Sequence, residues 1–382
     1  MKKVLFASTA LASLAIGSIA SAQGITLFGD ARLGLGYNIN SNGSVSDDDD
    51  DSDLSAVSRV RFGVNMTGET DSGIVFGATV RADNAEGGEG STLGQTAGNV
   101  FVSGDWGTLT LGDTNGADEQ WVGDIPGNLS LTGLGDLHET FYISNGGNFG
   151  SNTGNSFAAN PDARPTIRYD FDLAGFGFSL SSDKKLGDIG IGAGYAADFA
   201  GGSWGAGIGY YNFQEFTTVS QGGPQAVEGV DIDGDGINDP VLVQGVDVEN
   251  TTAGGQQLSL GITGDYENFG LGLTYTNART DKFDSEQFGP DTRTEFQTLG
   301  AGVTVPFDRW TLGAYYHQAF NLKGELDGGD RQSWGLTGAY DLGGGAQVAG
   351  GVVSTFGIDD DFEGGQDRDS EIVGDFGIKM SF

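Results

Sequence analysis

The stretch Ile25-Thr-Leu-Phe-Gly-Asp-Ala-Arg-Leu-Gly-Leu-Gly-Tyr37 decides the fold. Its odd positions, Ile25, Leu27, Gly29, Ala31, Leu33, Leu35 and Tyr37, form a mostly apolar set. Its even positions include Thr26, Asp30, Arg32, Gly34 and Gly36. Period two marks a strand with two unlike faces. The next run repeats it, with Val60, Phe62, Val64 and Met66 against Arg59, Arg61, Gly63 and Asn65. A third sets Ile74, Phe76, Ala78 and Val80 against Gly77, Thr79 and Arg81.

Working outward, the pattern is weak through 99–111 and clean again from Ile167, Tyr169 and Phe171, which oppose Arg168 and Asp170. It runs to a last strand where Ile372, Phe376, Ile378, Met380 and Phe382 oppose Asp375 and Lys379. The count is about sixteen strands of roughly ten residues, the length a tilted membrane strand needs. Connections alternate between short turns and long loops, with one short link near 182–186 where a long one is due. Aromatic residues such as Tyr37, Trp204, Tyr275, Trp310 and Trp334 bound many of the apolar faces, as interfacial girdles would. The expected fold is all-β: a transmembrane antiparallel barrel of about sixteen strands, with one long loop folded into its lumen.

Lys2 and Lys3, an apolar run to Ile19 and Ala20-Ser21-Ala22 read as a secretory signal peptide, residues 1–22. Residues 23–382 are then a single barrel. The formal charge of −35 becomes −37 when the two lysines leave. So acidic a chain has no footprint for nucleic acid. It has no cysteine, so disulfides contribute nothing to its stability. Its 69 glycines lack a collagen period, and on the polar faces they suit a crowded wall or lumen.

The segment from about 113 to 165 has no strand or helix pattern, and a structureless loop of that length is usually functional. It carries Asp113, Asp118, Glu119, Asp124, Asp136 and Glu139. Arg32, Arg59, Arg61, Arg81 and Arg168 share the polar parity of their strands, although the chain has only 18 basic residues. A basic wall opposite an acidic loop would put a transverse field across a constriction, as charged pores do. The alternative is that the arginines pair with Asp30, Asp170 and the loop acids to hold the loop in place.

A second acidic loop, about 214–254, contains Asp231, Asp233, Asp235, Gly236 and Asp239. That spacing matches the first half of a calcium loop, but position twelve is Leu242 and Pro240 intervenes. The sequence leaves open a short calcium-binding turn and a solvated acidic loop. No cofactor is required. His138 and His317 have no catalytic partners in sequence, and no nucleophile elbow or phosphate loop is present, so the chain does not read as an enzyme. No aromatic track is evident on the polar parity.

The chain resembles the general porins of alphaproteobacteria. The resemblance rests on Leu27-Phe-Gly-Asp-Ala-Arg-Leu-Gly, Ser58-Arg-Val-Arg, the run from Met66 to Ala78, Gly112-Asp, Tyr340-Asp-Leu-Gly-Gly-Gly-Ala and the ending Gly377-Ile-Lys-Met-Ser-Phe. It spans the mature chain but is diffuse from 183 to 330. It implies an outer-membrane channel for ions and small hydrophilic solutes. It also implies a homotrimer in outer-membrane lipid, calcium near the pore loop, and Phe382 as the signal to the barrel-assembly machinery. A substrate-specific channel or a metal- or partner-binding surface barrel is the alternative function.

Overall fold

The computed structural model describes residues 24–39, 54–82, 96–134, 140, 142, 144, 167–220, 225–228, 240–243, 248–285, 289–323, 331–354 and 372–382. The expected signal peptide lies outside them.

The first nine strands are consecutive in the wall of a closed barrel. They are β1 (Gly24–Tyr37), β2 (Leu54–Glu69), β3 (Val75–Ala82), β4 (Thr96–Gly104), β5 (Gly107–Gly112), β6 (Ile167–Leu173), β7 (Phe176–Ser182), β8 (Ile189–Phe199) and β9 (Gly202–Phe213). Two small ribbons follow. In one, β10 (Phe216–Ser220) pairs with β13 (Val248–Thr252); in the other, β11 (Gln225–Glu228) pairs with β12 (Pro240–Val243). The wall resumes with β14 (Gly255–Tyr266) and β15 (Phe269–Thr280). After a third small pair, β16 (Phe283–Ser285) and β17 (Gly289–Thr292), come β18 (Glu295–Phe307), β19 (Trp310–Lys323), β20 (Arg331–Gly343), β21 (Ala346–Ser354) and β22 (Ile372–Ser381). The wall therefore has sixteen strands, all antiparallel, and β22 closes on β1. At that seam Gly34 faces Gly377 and Arg32 faces Lys379. Closure leaves no unpaired edge, which a membrane demands.

The ribbons in the second acidic loop were not apparent from its overall composition. Runs such as Phe216-Thr-Thr-Val-Ser are short but β-branched, which suits a strand. Pro240 and Leu242 fall in β12, so the twelfth position of the calcium pattern belongs to a strand. Asp231, Asp233, Asp235 and Asp239 lie outside the described residues.

The period-two faces sort as expected. Ile25, Leu27, Leu336 and Phe376 are each at least 60% exposed, an arrangement that water would not tolerate but lipid does. Aromatic rings line the rim of short turns. Phe176, Tyr195 and Trp204 form one series, Phe199, Tyr266 and Phe269 another, and Trp310 meets Tyr340 with centroids 4.9 Å apart. At the other rim the Tyr316 hydroxyl lies 3.2 Å from Gln332 Oε1. These are the two girdles.

Candidate functional site

The segment after β5 enters the barrel and follows its inner wall. It begins with a single helical turn, α1 (Ala117–Gln120), too short to show a 3.6-residue period in sequence. Ala117 N donates to Ser181 Oγ at 2.9 Å and Trp121 Nε1 to Ser179 Oγ at 2.8 Å, both on β7. Further on, Thr337 Oγ1 on β20 donates to Gly127 O at 2.5 Å and accepts from Leu129 N at 2.9 Å. Residues 130–132 lie against β22 and β1. Residues 117–132 therefore track the wall from β7 round to β1, and the arginines of β2 and β3 lie beyond that track.

Close approach explains many of the glycines. A Cβ on Gly261 of β14 would lie 2.5 Å from Val122 O, and one on Gly207 of β9 would overlap Trp121 O. Gly192, Gly209, Gly302 and Gly313 likewise meet loop backbone at less than contact distance. Only a wall without side chains lets the loop backbone lie this close.

Three further kinds of contact seat the loop. Ile125, Leu131 and Leu134 are fully or almost fully buried with Val57, Tyr315, Val353 and Val373, an apolar patch inside the barrel. At the near end Arg168 Nη1 donates to Asn115 O at 3.0 Å, and its Nε pairs with Asp170 at 2.9 Å. Asp170 also accepts from Ser179, the residue that holds Trp121. At the far end the Asp375 carboxylate accepts from Leu131 N at 3.0 Å, Thr132 N at 2.7 Å and Thr132 Oγ1 at 2.7 Å. Arg32 Nη1 donates to Thr132 O at 2.7 Å and Lys379 Nζ to Ser130 O at 3.0 Å.

The five arginines therefore divide. Arg32 and Arg168 are buried and bonded to loop carbonyls. Arg59 pairs with Asp30 at 3.2 Å, and in register Arg61 stands opposite Asp30 and Arg81 opposite Gly63. Lys379, Arg32 and Arg59 make one cross-strand row over β22, β1 and β2.

The loop acids depart from expectation. Asp118 and Glu119 are not exposed to the lumen; both are buried, Asp118 completely. The cause is a returning limb. Ser144 Oγ donates to Asp118 Oδ2 at 2.9 Å, Thr140 N to Asp124 Oδ1 at 2.9 Å, and Tyr142 OH to Gly123 O at 2.6 Å. Asn115 Nδ2 donates to Glu119 Oε1 at 2.8 Å. Burial pushes the Asp118 carboxyl up to about 6. It also holds Glu119 well above the usual range, aided by the charges of Asp124 and Asp118 and partly offset by Arg168. Asp124 is half-buried, while Asp136, Glu139 and His138 lie outside the described residues. Single aromatics, Tyr211, Phe213, Phe296 and Tyr315, do occupy the inward parity. All four are buried, so they form no track open to solute.

A family model described as Gram-negative porin matches residues 7–357. The chain belongs to the Gram-negative porins. The porin of Rhodobacter capsulatus is 29% identical over 370 residues, covering 94% of this chain and all of that one. A solved porin structure matches with a TM-score of 0.60 at 24% identity, over 94% of this chain and all of its own. A triple mutant of Rhodopseudomonas blastica porin matches with a TM-score of 0.51 at 18% identity and the same coverage. Those two likenesses are of fold. Family membership makes this porin an outer-membrane channel for passive diffusion and not an enzyme.

Proposed function

We propose that ions and small hydrophilic solutes pass between the inner loop and the wall that carries Arg59, Arg61 and Arg81. Segment 113–165 is then the constriction. The observation that carries this reading is the course of the described loop residues, which hug the wall from β7 to β1, on the other side from the arginines of β2 and β3. Two of the five arginines hold the loop, so the field at the constriction comes from Arg59, Arg61 and Arg81 against Asp30. That favours anions locally, inside a protein whose overall charge attracts cations.

The test is the reversal potential of the refolded channel in a planar bilayer across a salt gradient. Arg59→Glu with Arg61→Glu should move the permeability ratio toward cations. An unchanged reversal potential in a conducting variant would place selectivity elsewhere.

The remaining assignments belong to the same proposal. Residues 1–22 are the export signal. Phe382, exposed at the end of the closing strand, is the contact for the assembly machinery. The porin is a homotrimer in outer-membrane lipid. Among the described residues no three acids or histidines gather as a metal site, and calcium needs six to eight oxygens. Calcium is proposed for Asp231, Asp233, Asp235 and Asp239, whose spacing matches the first half of a calcium loop.

A further inference from the structure

We propose that Asp375 is a positioning residue for the pore: with Arg32 and Lys379 it latches the far end of the inner loop across the seam where the barrel closes. This rests on the reading of that loop as the constriction. The tripeptide Ser130-Leu131-Thr132 meets both closing strands at once. Asp375 and Lys379 are on β22 and Arg32 is on β1. Together they make five hydrogen bonds to the tripeptide, all between 2.7 and 3.0 Å, and four of those use its backbone. Gly34 and Gly377, paired across the same seam, leave the room that the Leu131 side chain fills.

The chemistry is that of a latch. Asp375 and Arg32 are at most 7% exposed. A buried charge is tolerated when it is hydrogen-bonded, and here each of the three charges bonds a loop backbone group. Withdrawal of the loop would leave all three charges without those partners. The seated state is thereby favoured by the wall's own charges. Arg32 is thus bound to the loop although it shares a register row with Arg59. The latch also joins residues far apart in the chain, since 243 residues separate Thr132 from Asp375.

The experiment uses Asp375→Asn, which keeps shape and removes the charge. A hydrogen bond to a charged group is worth about ten- to a hundred-fold in an equilibrium. Single-channel recordings of the variant should therefore show excursions to a second conductance level at least about ten times as often as wild type. A disulfide supplies the rescue. Ser130 Cβ lies 3.2 Å from the place a Cβ on Gly351 would take, so a movement of about 0.3 Å brings the pair into the disulfide range, and the chain has no other thiol. Adding Ser130→Cys and Gly351→Cys to Asp375→Asn should give quiet current when oxidised and excursions when reduced. A role confined to barrel stability would change heat-modifiability without that redox dependence, and would overturn the proposal, as would quiet current from Asp375→Asn alone. If Asp375→Asn yields no barrel, Thr132→Val removes one of the three donors to Asp375 and is recorded in the same way. The rate at which the thiol pair oxidises, read on a gel, should fall with Asp375→Asn. That rate does not depend on the loop being the constriction, which the Arg59 and Arg61 variants test separately. An unchanged rate also overturns the latch.

Discussion

Gly261→Ala tests the seating of the loop with one methyl group. Gly261 faces inward on β14, and a Cβ there would sit 2.5 Å from Val122 O and 3.1 Å from its carbonyl carbon. Ordinary contact begins near 3.4 Å, so about 0.9 Å must be found. The wall strand is paired on both sides, to β9 and β15, over its whole length. The loop has no such ladder, so the loop yields, and its only free direction is the lumen. Overpacking of this kind costs about 1–3 kcal/mol. The latch at Asp375 and the Arg168 contact remain at either end, so the loop should bow inward without detaching. Single-channel conductance in a planar bilayer should fall, with the barrel still heat-modifiable. The control is Gly205→Ala on β9, an inward glycine whose Cβ would meet only Thr263 Oγ1 at 3.2 Å and Tyr195 O at 3.7 Å. Its conductance should match wild type. Equal conductance for Gly261→Ala, Gly205→Ala and wild type would refute the argument that bare wall positions set the loop's distance from the lumen.

Leu131→Ala empties a fully buried position in the apolar patch and should cost about 2–5 kcal/mol of loop seating. Limited proteolysis should then cut the loop faster, while heat dissociation of the barrel shifts little. The Asp118 carboxyl is held up near 6 from an unfolded value near 3.8, so the folded loop prefers the protonated acid. Its contribution to seating is full below the unfolded value and is lost as pH rises through about 6, a change of at most about 3 kcal/mol. Conductance noise should rise over that window, and Asp118→Asn should flatten the rise. A noise profile that Asp118→Asn leaves unchanged would assign the titration to Glu119 or another group.

The wall was legible because a strand's period is exact and each face has one neighbour, lipid or lumen. Leu27 and Leu35 declare their side without knowledge of any other strand. The loop was legible only as an anomaly, a long segment without pattern. What it does inside depends on contacts that parity does not carry. Asp118 and Glu119 look like solvent-facing acids until Thr140, Tyr142 and Ser144 fold back over the same segment. Leu131 and Leu134 were a missed signal: apolar side chains in a stretch of Gly, Ser, Asn and Thr have to be buried somewhere. Asp375 and Lys379 were visible on the inward parity, but nothing local names a partner more than two hundred residues away.

The glycines connect the two levels. In a strand, Gly weakens the local preference and lowers confidence that a strand exists at all. Gly190-Ile-Gly-Ala-Gly194 and Gly205-Ala-Gly-Ile-Gly209 would be poor strands in a soluble sheet. Here each inward glycine alternates along its strand with an outward Ile or Ala, and the ladder on both sides supplies what propensity lacks. The bare track then admits α1 and the residues after it, whose backbone lies where side chains would otherwise be. Inward bulk at Gly192, Gly207 and Gly209 would leave the wall intact and displace the loop. The residues that weaken the strands are therefore the ones that place the loop, and a selection for stronger strands at those positions would work against a seated one.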